Sequence, residues 1–163
     1  MGKGAFIAEG AVVIGKCFLG ENSSIWFNST LRGDVGEIHV GENSNIQDNS
    51  TLHITDGINL YVGNSVTVGH GVILHSCNIG DFSLVGMGSV VLDNVIVGRY
   101  SLVAAGSVLP PNKVYGDRKL IRGNPAREVR DLIDEEVQAL KESANHYCQR
   151  KDEYLDKNLV ELN

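Results

Sequence analysis

The 163-residue sequence has few prolines, few cysteines and few aromatic residues. Three prolines and three cysteines occur, and aromatic residues make up 6% of the chain. The cysteines are scattered and odd in number, which predicts reduced thiols rather than a disulfide framework. No apolar run reaches about 18 residues, the length of a membrane span, and the N-terminus MGKGAFIAEG has no apolar signal core. These absences predict a cytoplasmic protein without a membrane partner.

Positive charge is also scarce. Lys and Arg together number 14 against 20 Asp and Glu, which leaves a net charge of −6. A nucleic-acid partner would require a basic surface, so the charge argues against one. The length is that of one domain with a sizeable core. What the chain does have in abundance is glycine, with 19 residues.

These glycines belong to a repeat of about six residues. A typical unit reads aliphatic-Gly-x-x-small-aliphatic, as in VGNSVT and VGRYSL. Insertions of three and four residues follow Leu31 and Leu52, one residue is missing after Leu74, and the register otherwise holds for 17 units. Ordinary hairpins would not keep one register for so long, so the repeat predicts a parallel β-helix with small residues at its turns. The aliphatic positions, predicted to face inward, are Ile7, Val13, Leu19, Ile25, Leu31, Val40, Ile46, Leu52, Val62, Val68, Leu74, Ile79, Val85, Val91, Val97, Val103 and Leu109.

The C-terminal part departs from the repeat. We expect a β-helix domain over residues 1–110, an exit loop rich in Pro, Gly and charge over 111–133, and a helix over 134–160, together forming one domain. Asp134 is the predicted N-cap, and apolar residues spaced three and four apart predict a helix packed on the β-helix of the same or a neighbouring chain. The predicted fold class is mainly β.

Three of the five histidines, His53, His70 and His75, lie close together in the sequence. Three neutral imidazoles and a water are the usual ligands of an open catalytic zinc site. The spacing of five between His70 and His75 does not suit a helix, where ligands stand three or four apart. The hexapeptide pattern resembles the left-handed β-helix family, which implies three units in each coil. Assigning the units to three faces in rotation on that basis places Arg32, His53 and His75 in one outward ladder, on coils stacked about 4.8 Å apart.

The same register separates His70 from that ladder. His70 occupies the same place as Asp48 in the units of the preceding face. One chain therefore does not close a three-histidine site. A threefold ring sets the His70 face of one subunit against the His53 and His75 face of the next. The sequence predicts a homotrimer with one shared site at each interface.

The motifs RGD at 32–34, QD at 47–48, His53 and His70-x4-His75 resemble the γ-class carbonic anhydrase family. RGNPA at 122–126 and the terminal helix extend the resemblance over nearly the whole chain. The resemblance implies a left-handed β-helix, a trimer and a lyase reaction in which a metal-bound hydroxide hydrates CO2 to bicarbonate. It implies that the three histidines bind Zn2+, with Fe2+ or Co2+ as alternatives, and that the middle one is supplied across the interface.

The resemblance also implies roles for the polar residues of these motifs. Gln47 corresponds to the residue that hydrogen-bonds the metal-bound water and orients the substrate. Arg32 corresponds to an arginine that handles bicarbonate and pairs at the interface. Asp34 and Asp48 correspond to carboxylates at the interface and around the ligands, and Asp48 is placed to fix the tautomer of the histidine on the next coil. Asn45 corresponds to a further active-site asparagine.

The sequence departs from the best-characterised form of the family at its proton shuttle. Val35 stands where a second carboxylate is expected, and the loop GDVGEIH is short. Asp56 has the approximate place of the shuttle glutamate but is one carbon shorter. His39 is another shuttle candidate, and an exposed loop histidine is the simpler interpretation. Helix residues that could reach the site, with packing as the alternative role, are Tyr147, Tyr154 and Asn145.

Two other functions stay open. The hexapeptide class includes acyltransferases and acyl-CoA thioesterases, and the fold alone does not decide between them and a hydratase. Such transferases usually lack the three-histidine set. A trimer that a metal merely stabilises is the other alternative, and Gln47 argues against it because a structural zinc needs no hydrogen-bonded open position.

Overall fold

The computed structural model describes residues 1–156 and confirms a mainly β fold, a parallel β-helix of about six turns followed by one helix. Within that part of the chain, no helix is long and apolar enough to span a membrane. The elements are, in chain order, β1 (Phe6–Ile7), β2 (Val12–Leu19), β3 (Ser24–Ile25), β4 (Thr30–Val40), β5 (Asn45–Ile46), β6 (Thr51–His53), β7 (Leu60–Val62), β8 (Thr67–Val68), β9 (Ile73–His75), β10 (Asn78–Ile79), β11 (Leu84–Val85), β12 (Val90–Val91), β13 (Ile96–Val97), β14 (Leu102–Val103), β15 (Val108–Leu109), β16 (Val114–Tyr115), β17 (Lys119–Gly123), β18 (Ala126–Asp131) and α1 (Asp134–Leu155).

The strands stack into three faces of a prism. The first face is β1-β3-β5-β8-β11-β14-β17. The second face holds the beginnings of β2 and β4 together with β6, β9, β12 and β15. The third face holds the ends of β2 and β4 together with β7, β10, β13 and β16. Because β2 and β4 run round the corner between them, the second and third faces form one sheet.

The predicted inward register is confirmed. All of the predicted aliphatic positions from Leu19 to Leu109 are buried in one continuous core, whereas Ile7 on the first coil is 40% exposed. Strand pairing places Leu31, Leu52 and Leu74 directly above one another on the second face. Alternation along each strand therefore decides which side chains reach the solvent at each corner.

Residues 111–133 are not an exit loop, contrary to the prediction. They contain β16 and β17, which continue the stack, and β18, which pairs antiparallel with β17. Tyr115 and Ile121 fill the inward positions of these added units, and the Tyr115 hydroxyl donates to the carbonyl oxygen of Ala126 at 3.1 Å. The composition was misleading because the charged residues occupy outward positions while the inward ones stay apolar.

The repeat glycine is required by the close approach of adjacent coils. A Cβ on Gly63 would lie 2.5 Å from the Asp81 carboxylate and 2.8 Å from the Asp81 amide nitrogen. Many turn positions with positive φ are instead taken by asparagine, such as Asn43 (φ 57°) and Asn49 (φ 61°), because its short polar side chain tolerates this conformation. Gly63 stands directly before the turn at 64–65, as the repeat predicts, and the reason for glycine there is the close approach of the next coil rather than a positive φ.

Helix α1 starts differently from the prediction. Asp134 is the first helical residue, and its carboxylate accepts a hydrogen bond from Arg118. Ile133 occupies the N-cap position, and the Glu136 carboxylate accepts a hydrogen bond from the Ile133 N–H at 3.0 Å. The predicted N-cap is therefore wrong by one residue. The predicted helix end at 160 lies outside the described residues.

Helix α1 covers the first face. It packs against β3, β5 and β8. Val137 and Leu140 form an apolar cluster with Leu84, Leu102 and Leu120. The helix therefore borders the side of the β-helix from which Gln47, Asp48 and His70 emerge.

Candidate metal centre

Two imidazoles lie together at the corner between the second and third faces. Strand pairing sets Arg32 beside His53 and His53 beside His75, as the repeat register predicts. The ring centroids of the two histidines lie 5.2 Å apart. His53 Nδ1 lies 3.2 Å from His75 Nε2, and both side chains are partly buried. Each ring therefore turns one nitrogen toward the other ring, at hydrogen-bond distance.

Every histidine of the predicted set has an aspartate at one ring nitrogen. Such a carboxylate fixes the tautomer and the ring orientation and leaves the second nitrogen for a ligand. The predicted pairing of Asp48 with the histidine one coil above is present. The three pairs are Asp34–His53 (Oδ1···Nε2 3.2 Å), Asp48–His70 (Oδ2···Nδ1 2.9 Å) and Asp93–His75 (Oδ1 to Nδ1).

His70 stands apart from the other two histidines. It follows β8 at the corner between the first and second faces, with 47% of its side chain exposed, whereas the pair occupies the next corner. Within residues 1–156, no three side chains of His, Cys, Asp or Glu are arranged to hold a metal ion. One chain therefore brings two of the predicted ligands together and directs the third elsewhere.

The geometry of the pair fits a divalent cation. Two nitrogens on one tetrahedral zinc ion, each at about 2.0–2.1 Å, lie about 3.4 Å apart. The observed separation between His53 Nδ1 and His75 Nε2 is 3.2 Å. Imidazole nitrogens suit zinc, iron and related transition metals. The pair therefore fits two positions of such a coordination sphere, and a third nitrogen has to come from outside the pair.

Asp34 joins the pair to Arg32. Its Oδ2 accepts a hydrogen bond from Arg32 Nη1, while its Oδ1 faces His53. The guanidinium lowers the pKa of the Asp34 carboxyl, desolvation opposes this, and the His53 contact lowers the pKa further. Asp34 therefore stays ionised beside the imidazole, and Arg32 carries positive charge to the edge of the site.

Gln47 and Asn45 meet on the first face. Both side chains are buried, and Gln47 Nε2 donates to Asn45 Oδ1 at 3.1 Å. Gln47 directly precedes Asp48, the aspartate beside His70. The structure thus brings these two predicted residues together on the His70 side rather than beside the imidazole pair.

The two shuttle candidates lie away from this arrangement. Asp56 is in an exposed turn after β6. His39 is not in a loop, since GDVGEIH belongs to β4, and its inserted residues carry the strand round a corner. On the third face the His39 ring stacks between Phe18 at 4.6 Å and Tyr61 at 4.9 Å. These contacts assign His39 a packing position.

The aromatic candidates of helix α1 pack on the first face. Tyr147 and Tyr154 contact the edge of Trp26, with centroids 5.4 and 5.2 Å away. Burial raises the pKa of Tyr147, and the charge of Asp48 raises it further. Tyr147 and Asp48 line one cavity of about 400 Å³, so this tyrosine borders the His70 side. Asn145 is exposed.

Asp93 is the residue that the sequence analysis missed. It anchors His75, and its Oδ2 accepts a hydrogen bond from Thr55 Oγ1 at 3.3 Å. Asp93 follows β12, which pairs with β9 on the second face. Continuing the repeat register by one coil beyond His75 leads to Leu92, and Asp93 stands one place further along, so the spacing alone does not identify this residue.

Comparisons with known proteins agree with this architecture. A family model described as bacterial transferase hexapeptide (six repeats) matches residues 76–111. A protein of Methanocaldococcus jannaschii named "Probable carbonic anhydrase" is 46% identical over 145 residues, covering 89% of this chain and 91% of that protein. Gamma carbonic anhydrase 1, mitochondrial, of Arabidopsis thaliana is 39% identical over 168 residues, covering 99% of this chain and 61% of that protein.

A solved structure gives the same result at the level of the fold. The crystal structure of a hexapeptide transferase family protein from Anaplasma phagocytophilum superposes with a TM-score of 0.86 at 42% identity, covering 92% of this chain and 89% of that chain. The repeat register, the paired imidazoles and the identity over nearly the full length of a curated relative agree. The chain belongs to the γ-class carbonic anhydrase family of hexapeptide-repeat proteins.

Proposed function

We propose that this protein is a metal-dependent hydratase that interconverts CO2 and bicarbonate at the subunit interfaces of a cytoplasmic homotrimer. The observation that carries the proposal is the set of three histidines, each anchored by an aspartate at one ring nitrogen. Relatives named carbonic anhydrase at 46% and 39% identity support the reaction. The coarser conclusion, a carbonic anhydrase-like protein, follows from family membership.

The trimer is supported by the second face. Its outward positions carry exposed aliphatic side chains, with Val12 51% and Ile73 43% exposed. This face lies between the corner of His70 and the corner of His53 and His75. A threefold ring that covers it is heterologous and closed, and it brings the two corners of neighbouring subunits together.

The residues fit a cation held by His53 and His75 of one subunit and His70 of the next. Zn2+ suits three imidazoles best, with Fe2+ or Co2+ as alternatives. When bound, the cation would supply a Lewis acid that generates a nucleophile from water near neutral pH.

The chain's own groups have separate tasks in this proposal. Asp34, Asp48 and Asp93 each contact one ring nitrogen of a histidine, which orients the ring and leaves the other nitrogen for the cation. Gln47 contacts the reacting water and orients the substrate. Arg32 attracts the bicarbonate anion, since its guanidinium presents several donors to planar oxyanions. Asp34 keeps Arg32 at the edge of the site.

The test is stopped-flow CO2 hydration with zinc-, iron- and cobalt-loaded protein, together with metal stoichiometry. We expect about one metal ion per subunit, and hydration that falls to background in a Gln47→Leu variant with full metal content. Replacing Asp117, an exposed aspartate paired with Arg99 on a distant coil, by Asn is the matched control. Absence of hydration with all three metals would remove the hydratase assignment.

Acyl transfer or acyl-CoA hydrolysis is the second candidate function. It is favoured by an apolar cavity of about 360 Å³ beside Gln47, lined by Leu84, Met87 and Leu102 among others, and by a solved relative described as a hexapeptide transferase family protein. An acyl-CoA panel in the same experiment tests it. Turnover there without hydration favours this candidate, and bound metal without either activity favours a metal-stabilised assembly.

A further inference from the structure

A chain of polar side chains runs from Gln47 across the first face to helix α1. Gln47 Nε2 donates to Asn45 Oδ1 at 3.1 Å, and Asn45 Nδ2 donates to Thr67 Oγ1 at 3.1 Å. Thr67 Oγ1 lies 3.2 Å from Ser143 Oγ. Gln47, Asn45 and Thr67 are all buried, where a hydrogen bond that is lost is not replaced by water. The chain therefore connects an amide of the proposed site to the helix.

The chemistry of the members determines the direction of the two hydrogen bonds that Asn45 makes. Asn45 Nδ2 also lies 3.5 Å from the carbonyl oxygen of Val66. A carbonyl only accepts, so the nitrogen of the Asn45 amide faces Val66 and Thr67, and its oxygen faces Gln47. Gln47 consequently has to present an N–H to Asn45. Thr67 accepts from Asn45, and in the last contact either the Thr67 or the Ser143 hydroxyl can donate.

This direction gives the Gln47 amide one orientation. Turning the amide over would set its oxygen against the oxygen of Asn45, two acceptors in a buried place. Gln47 Oε1 is therefore the amide atom directed away from Asn45. Gln47, Thr67 and Ser143 border one cavity, so a small molecule can approach them. A group that pairs with Gln47 Oε1 has to donate a proton, as water or the hydroxyl of bicarbonate does.

We infer that Thr67 and Ser143 are positioning residues that hold Gln47 as a hydrogen-bond acceptor toward the substrate. This inference rests on the proposed function for its catalytic meaning, but not for its geometry. It assigns helix α1 a part in the site, since the Ser143 hydroxyl completes the chain. Thr67 and Ser143 are distant in sequence, and the repeat register does not predict their contact because Ser143 lies in helix α1.

The experiment measures solvent exchange of the side-chain amide protons of Gln47 and Asn45 by 15N NMR, with both signals assigned from Gln47→Glu and Asn45→Asp variants. We expect one Gln47 amide proton to exchange about tenfold more slowly than the other, as for one retained hydrogen bond. Thr67→Val keeps the side-chain shape but removes the hydroxyl, and the difference should disappear. Thr67→Ser restores it, and Ser143→Ala reduces it partly.

The matched control is Ser101→Ala. Ser101 is a buried residue whose hydroxyl donates to the Gly116 carbonyl at 2.9 Å, two coils away from Thr67 in the stack. It should leave the Gln47 signals unchanged. Unchanged Gln47 exchange in Thr67→Val would overturn the inference. Altered exchange with a loss of about fivefold to tenfold in kcat for hydration supports it. Altered exchange in a protein without hydratase activity would retain the positioning and remove the proposed function.

Discussion

The split site predicts that two defective variants restore each other when they share a trimer. His70→Ala removes the ligand of one corner, and His53→Ala removes a ligand of the other. A homotrimer of either variant has no interface with three histidines. In a mixed trimer, whichever variant is in excess, one of the three interfaces joins an intact His70 to an intact His53 and His75. The restored interface contains the same three histidines as an interface of the unmodified protein.

The size of the effect follows from counting. Random assembly from equal amounts makes about three quarters of the trimers mixed, and each of these has one complete interface, so about one quarter of all interfaces are restored. We expect about 0.25 zinc per subunit in the mixture, compared with about one for the unmodified protein. Each variant alone should bind far more weakly, because a site of this kind depends on all its deprotonated ligands.

The assay refolds the two variants together from urea, isolates the trimer by gel filtration with light scattering, and measures zinc by atomic emission. The control mixes His53→Ala with His75→Ala. Both lesions then lie in the imidazole pair, whose ring nitrogens are 3.2 Å apart, so every interface keeps one defect and no zinc should return. Equal recovery in the two mixtures, or none in the first, would refute the split site.

Three further predictions concern stability and metal affinity. Gly63→Ala places a Cβ 2.8 Å from a backbone nitrogen of the next coil and should cost about 1–3 kcal/mol of unfolding free energy in urea titrations. The control is Gly116→Ala, which should cost little because its Cβ meets the flexible end of a lysine at 3.3 Å. Equal losses of unfolding free energy in the two variants would contradict the argument. Asp93→Asn should weaken zinc binding about 10- to 100-fold in a competition titration, and unchanged affinity would deny it an anchoring role. Arg130 lowers the pKa of Glu136 from 4.5 to about 2, so the pair stabilises the fold fully above pH 4.5 and loses its effect as the pH falls toward about 2. Glu136→Gln should therefore lower Tm at pH 7 but not at pH 2. An equal decrease in Tm at both pH values would contradict the linkage.

The inward register could be predicted from the sequence because burial acts on every coil in the same way. Each inward position has to be apolar, so the six-residue period survives the insertions after Leu31 and Leu52. The histidine ladder then followed from the register, without knowledge of side-chain packing. The pairing of Asp48 with His70 followed for the same reason, since both occupy one place in successive units.

The parts that could not be predicted depend on individual side-chain contacts. The sequence of residues 111–133 is typical of a loop because it is rich in charged residues, which face outward, whereas the residues that face inward, Tyr115 and Ile121 among them, are few. His39 is held between two aromatic rings, which only the stacking of the third face reveals. The bond between Thr67 and Ser143 depends on where helix α1 lies across the first face, and no repeat pattern encodes that placement.

The geometry of a β-helix explains why the proposed metal centre and the proposed trimer depend on each other. Outward side chains at one corner form a line along the stack, about 4.8 Å apart, and point away from a convex surface. Such a line can supply two adjacent imidazoles, as His53 and His75 do, but a tetrahedral ion needs a further ligand from the opposite side. The same chain has no surface there, whereas a second copy that presents His70 does. In the proposed trimer, metal binding and association are therefore one linked equilibrium: metal at about 100 times its Kd stabilises each occupied site by about 2.7 kcal/mol. Chelation should accordingly lower the stability of the trimer, and His70→Ala should abolish that dependence on metal.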